Sequence, residues 1–324
     1  MSAAPESAYP ADAAARDRWI LSRRPPRRAL DPRRAYAAFL EEEPDASGEL
    51  VGVAAIFLTN RECPWRCLMC DLWKNTLTES VAAGAIPAQI EEALRELGAA
   101  RWVKLYNAGS FFDPRAIPPA DFDALAALVR RFERVVVEAH PALVGDSCRR
   151  FRDLSGSALE VALGLETVHE PTLERLNKRM TLRDFGAAAE FLAREDIALR
   201  VFVLAGLPFL DEPEGLAWTR RSIEFAFDRG AAVVSVIPTR AGNGALDALS
   251  AGGLFAEPRL SVLEEALDFG LGLRRGRVFA DLWDLARFRR CAACFDARAA
   301  RLADANRSQR ALPRVGCGEC GGRA

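Results

Sequence analysis

Eight cysteines carry most of the chemistry this sequence offers, and seven of them fall into two groups. The first group is Cys63-Pro-Trp-Arg-Cys67-Leu-Met-Cys70, a C-x3-C-x2-C run. Three thiolates on one short loop can hold three irons of a 4Fe–4S cluster, which ordinarily takes four cysteines. The shortfall leaves one iron open to a small molecule, as catalytic metal centres keep one position open. Zinc fits this run poorly, because it prefers four closed ligands with cysteine pairs split by a longer loop.

The second group is Cys291-Ala-Ala-Cys294 with Cys317-Gly-Glu-Cys320, spaced C-x2-C-x22-C-x2-C. Paired knuckles of this kind place four sulfurs around one centre. Gly316 and Gly318 ease the tight turn at the second knuckle. Zinc there would clip the tail to the body, whereas a second 4Fe–4S cluster would relay electrons or anchor a substrate. Knuckle geometry leans towards zinc, and spacing alone does not separate the two. Cys148, in Gly-Asp-Ser-Cys-Arg-Arg, reads as a thiol packed on a helix. His140 and His169 are too few and too scattered for a metal cluster. His140 lies beside Glu138 at a strand end, either facing the site as a substrate or cofactor contact or standing there incidentally.

The elements that must position these residues follow from hydrophobic period. Apolar runs at Leu50–Leu58, Trp102–Tyr106, Val135–Val137, Leu159–Leu165, Leu199–Leu204 and Ala232–Ile237 read as strands. Helical spacing occupies Ile90–Leu97, Phe122–Phe132, Thr172–Ala193, Glu214–Phe227 and, beyond Pro258, Leu260–Leu273. Strands alternating with helices imply a parallel sheet with its helices outside. No GxGxxG follows the first strand, so the expected fold class is α/β, a partial (βα)6 TIM-like barrel rather than a Rossmann sheet. The first cysteine run then lies where a barrel strand ends, the face on which barrels build active sites. The expected organisation is an Arg/Pro-rich extension over 1–47, a core barrel over 48–257 and a C-terminal metal-binding extension over 258–324.

The chain has 324 residues, 50% hydrophobic and 27% charged, which excludes a disordered or collagen-like protein. No run of 18 apolar residues occurs, so no membrane span is expected. Met1–Ala15 lacks the apolar core of a signal peptide, so a cytoplasmic location is expected, where cysteine clusters hold metal rather than disulfides. The net charge of −1 conceals a polarised chain. From Arg16 to Arg34 eight arginines oppose two aspartates, and from Arg274 to Arg314 eleven oppose four. Residues 35–273 carry 24 basic and 36 acidic side chains. Basic ends on an acidic body suit an anionic partner such as RNA. They equally suit plain solvation in an arginine-rich chain with only three lysines, since no aromatics interleave with the charge.

The C-x3-C-x2-C loop behind the first strand resembles the radical S-adenosylmethionine (radical SAM) superfamily. The resemblance covers roughly residues 50–240. It implies that the open iron binds the methionine moiety of the cofactor. One electron from the cluster would then cleave the sulfonium, and the resulting 5′-deoxyadenosyl radical would take hydrogen from a substrate. After the second strand, Asn107-Ala108-Gly109-Ser110 stands in the place of the glycine-rich turn that meets the methionine amino group. Ser110 occupies the position of the usual acid. Glu166, in Gly164-Leu-Glu-Thr167, and Lys178 take the places of the polar strand-end residue and the basic residue that approach the cofactor, with Arg179 the neighbouring alternative. The fifth strand ends in Gly206-Leu-Pro208, and Ile237 stands on the sixth, where adenine packs. Met69, beside the third cysteine, joins the implied cofactor contacts.

In particular the chain resembles the radical SAM proteins of archaeosine biosynthesis and their uncharacterised bacterial relatives. The shared runs are Phe57-Leu-Thr-Asn-Arg-Glu-Cys63, Cys70-Asp-Leu-Trp-Lys74 and the Asn107–Pro114 turn. The resemblance implies an external one-electron reductant of flavodoxin or ferredoxin type. The substrate stays open between a modified nucleoside in RNA and a small metabolite. The rival reading from another class is a non-catalytic iron–sulfur or zinc protein that binds RNA.

Overall fold

The computed structural model describes residues 9–321, so residues 1–8 of the expected N-terminal extension lie outside the described part. One sheet runs through the molecule, its eight strands in sequence order. They are β1 (Ala37–Pro44), β2 (Leu50–Leu58), β3 (Trp102–Asn107), β4 (Arg134–Ala139), β5 (Ala158–Glu166), β6 (Ala198–Ala205), β7 (Val233–Pro238) and β8 (Arg277–Ala280). Strand β1 pairs antiparallel with β2, and every later pair is parallel. The six expected strands are β2 to β7. Beyond them, β1 and β8 add an edge on each side. Sequence alone hid β1 because Glu41, Glu42 and Glu43 look like a solvated run, and β8 because it is only four residues long.

Side chains alternate between the two faces of each strand. Ile56, Leu105, Val137, Val161, Val203 and Val236 belong to one continuous core with the outer helices. The alternate residues face a concave side. There Tyr106 on β3 and Phe202 on β6 lie with ring centroids 6.4 Å apart, although three ladder spacings in a flat sheet would separate them by about 14 Å. The sheet is therefore curled into a half-barrel.

At the N-terminal end of the parallel strands the curl is closed by buried charge. Lys104 Nζ bonds Glu41 at 2.6 Å and Glu43 at 2.5 Å. Arg200 bonds Glu160 at 2.6 Å and also pairs with Glu43. Arg277 on β8 reaches Glu43 at 3.2 Å, so the two edge strands meet. Burial works against ionising Glu43, but Arg200 and Lys104 outweigh it and hold the carboxyl well below its usual range. Each of these cations is consumed by carboxylates, as buried charges must be.

The expected helical stretch Thr172–Ala193 is two helices, Glu170–Arg175 and Leu182–Arg194. The break has a local cause. Thr181 and Asp184 form a reciprocal capping box that starts the second helix. Asn177 and Arg179 between them adopt left-handed backbone, φ 58° and 59°. Leu260–Leu273 forms as expected, and Cys148 is fully buried on the helix Asp146–Ser155. Within 9–47, the helix Ala13–Leu21 buries Trp19 and Ile20 against Leu68, Leu176 and Leu207. Within 258–324, β8 is followed by the helix Ala292–Ser308. Among the described residues no helix is long and apolar enough to cross a membrane.

Candidate functional site

Cys63, Cys67 and Cys70 lie on the irregular loop between β2 and a short 3-10 turn at Leu72–Asn75, at the C-terminal rim of the half-barrel. A loop without its own ladder must be held by others, and this one is held from several directions. Leu68 N donates to Leu176 O at 2.9 Å. Asn177 Nδ2 donates to Arg66 O at 2.8 Å. Asn243 Nδ2 donates to Leu68 O at 2.7 Å and to Cys70 O at 3.2 Å. From the N-terminal arm, Arg24 reaches Glu62 at 2.6 Å and Arg27 pairs with the same carboxylate, which also meets Arg66 at 3.1 Å.

Trp65 stacks on His140 with centroids 3.7 Å apart and planes 10° from parallel. His140 Nδ1 accepts from Ala142 N at 3.2 Å, which assigns the ring proton to Nε2, 3.0 Å from Lys178 O. Burial, then the Lys178 charge, pushes His140 down to about 4, so the ring is neutral at pH 7. His140 thus clamps both the cysteine loop and the backbone of Lys178. The three thiols are half-buried. Burial pushes Cys67 up to about 12 and also raises Cys63 and Cys70. A coordinating metal reverses that preference and deprotonates a thiol outright.

Around the loop stand the other residues singled out by sequence. Asn107 ends β3, is 1% exposed, and neither atom of its amide has a partner among the described residues. Gly109 follows at φ +151°, and a Cβ there would come within 2.8 Å of Cys63 Cβ. Only glycine lets this turn pass so close to the loop. Ala108 and Ser110 are buried, and Ser110 Oγ accepts from Phe112 N at 3.3 Å. Glu166 ends β5 at a register shift with φ 66°, a conformation costly for a side chain other than glycine. Its carboxylate meets Lys178 Nζ at 2.5 Å, both side chains being buried. A methyl on Gly164 would collide with this pair. Burial opposes the Lys178 charge, but Glu166 outweighs it and the ammonium stays protonated.

Arg179 turns away, to Ala13 O at 2.7 Å and Asp17 at 2.8 Å. The structure therefore brings Lys178, not Arg179, to Glu166. Met69 and Ile237 both pack against the apolar group formed by Leu68, Leu176 and Leu204. The donor set fits a cluster with a small polar ligand: three thiols, an unpartnered amide, a glycine cradle and a carboxylate–ammonium pair. Sequence reasoning missed Asn177, Asn243 and the Arg24–Glu62 clamp. The one available signal was Asn243 in Gly242-Asn-Gly244, legible as a turn but not as an anchor.

The second group is built differently. Cys291 and Cys294 flank the start of the helix Ala292–Ser308, and Cys317 and Cys320 sit on a turn closed by Gly321 N to Cys317 O at 2.9 Å. All four sulfurs lie within 4.8 Å of one another. Cys291 and Cys317 are 3.8 Å apart, Cys294 and Cys320 3.7 Å. Arg298 bonds Glu264 at 2.7 Å, and Arg301 bonds Asp268 at 2.6 Å, tying this helix to Leu260–Leu273.

The described chain is thus an eight-stranded half-barrel with a three-cysteine loop at its rim and a cysteine cluster in its C-terminal part. No family model matches the chain. Among curated proteins, archaeosine synthase subunit beta of Methanosarcina acetivorans is 29% identical over 178 residues, 51% of each chain. The subunit of the same name from Thermococcus kodakarensis is 26% identical, over 48% of this chain and 51% of its own. The chain thus spans about half the length of these curated relatives. Among solved structures, coproporphyrinogen III oxidase of Escherichia coli, described as a radical SAM enzyme, aligns with TM-score 0.46 at 13% identity. That alignment covers 79% of this chain and 55% of the oxidase.

Proposed function

We propose that this chain is a radical SAM enzyme in which Cys63, Cys67 and Cys70 hold a 4Fe–4S cluster with one open iron. The observation that carries the reading is the convergence of the three-cysteine loop on the unpartnered Asn107 amide, the Gly109 cradle and the buried Glu166–Lys178 pair. Cluster and S-adenosylmethionine, when bound, supply one-electron cleavage of a sulfonium and so the power to remove hydrogen from an unreactive carbon. The chain's own residues position and shield. Asn107 and the turn through Ala108, Gly109 and Ser110 offer polar contacts to the cofactor. Lys178, held by Glu166, offers a fixed charge, and Met69 and Ile237 offer apolar contact. His140 and Trp65 keep the loop rigid, and the Ala13–Leu21 helix helps exclude water.

In the same reading the described part of the 1–47 extension braces the cysteine loop and adds β1 to the sheet, 48–257 carries the catalytic barrel, and the described part of 258–324 adds β8 and the metal-bearing cysteines. A four-thiolate zinc site has Zn–S bonds of about 2.3 Å, which sets sulfurs about 3.8 Å apart in a tetrahedron. The spacings of the C-terminal group match one ion of that size better than a four-iron cluster. The names of the curated relatives and the basic ends favour a modified nucleoside in RNA as substrate. The ion pairs that consume Arg24, Arg27, Arg298 and Arg301 favour the second reading, a small metabolite. A cytoplasmic protein served by a flavodoxin- or ferredoxin-type donor completes the proposal.

The test is 5′-deoxyadenosine formation by anaerobically reconstituted protein under dithionite. Intact protein is expected to form it, and Cys67→Ala to form none. Equal cleavage by both, or none by the intact protein, overturns the reading and favours a non-catalytic iron–sulfur or zinc protein that binds RNA.

A further inference from the structure

Outside the half-barrel, a groove of about 330 Å³ runs between the residues that follow β4 and the helix Leu182–Arg194. It is lined by the apolar side chains of Val144, Met180 and Phe191, by the His140 ring, and by Arg179 and Arg194. The function proposed above makes no use of this groove. Yet the same His140 ring stacks on Trp65 with centroids 3.7 Å apart. Trp65 stands between Cys63 and Cys67, and its carbonyl accepts from Cys63 Sγ at 3.6 Å. One stacked pair of rings therefore separates the groove from the three-cysteine loop.

The charge left unpaired here is positive. Arg183 stands in the first turn of the helix and Arg194 ends it, and Arg183, Ala187, Phe191 and Arg194 follow at helical spacing along one face. Both arginines are exposed, and neither side chain makes an ion pair or hydrogen bond among the described residues. The Arg194 guanidinium lies 6.0 Å from the Phe191 ring centroid. Asp184, the carboxylate that lines the groove, is held by Thr181 N at 2.9 Å and Thr181 Oγ1 at 2.7 Å. Arg179 is held by Asp17. Apolar side chains flanked by unpaired cations suit an acidic partner surface.

We propose that this groove is the docking site of an acidic one-electron carrier protein, whose electron reaches the cluster across the His140–Trp65 pair. Carboxylates of the carrier meet Arg183 and Arg194, and the apolar surface around its redox centre covers Val144, Met180 and Phe191. One electron leaves the reduced carrier and arrives on the iron–sulfur cluster; no bond forms or breaks and no proton moves. The step asks the chain only for a short, fixed approach. The bonds of His140 to Ala142 N and Lys178 O fix it. A second copy of this chain is a poor occupant, because a two-fold contact here would set the unpaired arginines against each other. The inference deepens the function proposed above and rests on the three-cysteine loop holding a cluster.

An acidic flavodoxin and a 2Fe–2S ferredoxin serve as carriers. Their binding to the anaerobically reconstituted protein is read by isothermal titration calorimetry, apart from any turnover. Formation of 5′-deoxyadenosine is scored on the same samples, once with dithionite and once with the reduced carrier. The intact protein is expected to bind at least one carrier, and less tightly as salt rises. Arg183→Glu combined with Arg194→Glu is expected to weaken that binding about tenfold and to slow carrier-driven turnover with it, while dithionite-driven turnover is unchanged. Arg274→Glu combined with Arg310→Glu makes the same reversal at the opposite end of the strands, before β8 and beyond Gln309, which bonds Val278. This pair is expected to change neither. Near-UV circular dichroism verifies that both variants are folded. Binding of neither carrier, equal weakening by both reversals, unchanged binding in the folded groove variant, or a dimer that the groove reversal dissolves overturns the docking site. If dithionite still drives 5′-deoxyadenosine formation by the intact protein in those cases, the proposed function stands while the docking site falls.

Discussion

The two cysteine groups are held in opposite ways. The loop of Cys63, Cys67 and Cys70 takes its shape from Leu176, Asn177, Asn243, His140 and the arginines of the N-terminal arm. The C-terminal four are gathered by two short turns of their own, with sulfurs already at the spacing of one tetrahedral ion. A site that keeps one metal position open cannot rely on its ligands alone for rigidity, so the surrounding protein must supply it. A closed four-ligand site is rigid once loaded and needs little outside help. In the function proposed above, the difference separates a place built for chemistry from one built to clip a tail.

The sharpest way to break the comparison is a reciprocal pair of substitutions. Cys67→Ala is expected to lose essentially all the iron and keep the zinc. Cys294→Ala is expected to lose the zinc and keep the iron, with a fall in Tm of about 5 °C or more as the tail is released. Metal analysis and calorimetry on the two variants check both. Loss of both metals in either variant would show that the two groups are not independent.

A smaller effect should follow from loosening the outside support. Asn243→Ala removes two hydrogen bonds to the cysteine loop and leaves the carbonyls of Leu68 and Cys70 short of a donor. Such a loss costs about 1–3 kcal/mol. The variant should still load about four irons but surrender them to a chelator several-fold faster, while zinc loss is unchanged. Equal chelation rates for wild type and variant would mean that the loop holds itself.

The smallest effect concerns Glu138, whose carboxyl is raised to about 8 by burial. An unfolded glutamate ionises near about 4.3, so the folded state binds the extra proton between the two values. The neutral acid is therefore fully accommodated at low pH, and stability is lost as pH rises through about 8. Glu138→Gln should match wild type near pH 4, and its advantage in Tm should grow to a few degrees at pH 8. A gap that does not change with pH would show that the carboxyl is not held neutral.

Much of this was legible in the sequence. The β-branched runs of β2 to β7 announce buried parallel strands, and the paired C-x2-C spacings announce the four C-terminal sulfurs that the fold gathers within 4.8 Å of one another. Other parts were hidden for physical reasons. Glu41 and Glu43 read as solvent-facing until the curl of the sheet sets Lys104 and Arg200 against them. Asn177 and Asn243 act across 111 and 175 residues, and no local pattern announces a contact of that range. The basic N-terminal segment looks like a surface for a polyanion. Arg24 and Arg27 instead brace Glu62 beside the first cysteine. Charge counting registers their sign but not their partner.

The central claim is that one cysteine group is an open cluster site and the other a closed single-ion site. Metal counting on the intact, anaerobically reconstituted protein tests it most directly. The account predicts about four irons and about one zinc per chain. About eight irons and no zinc, or zinc in both groups, would contradict it.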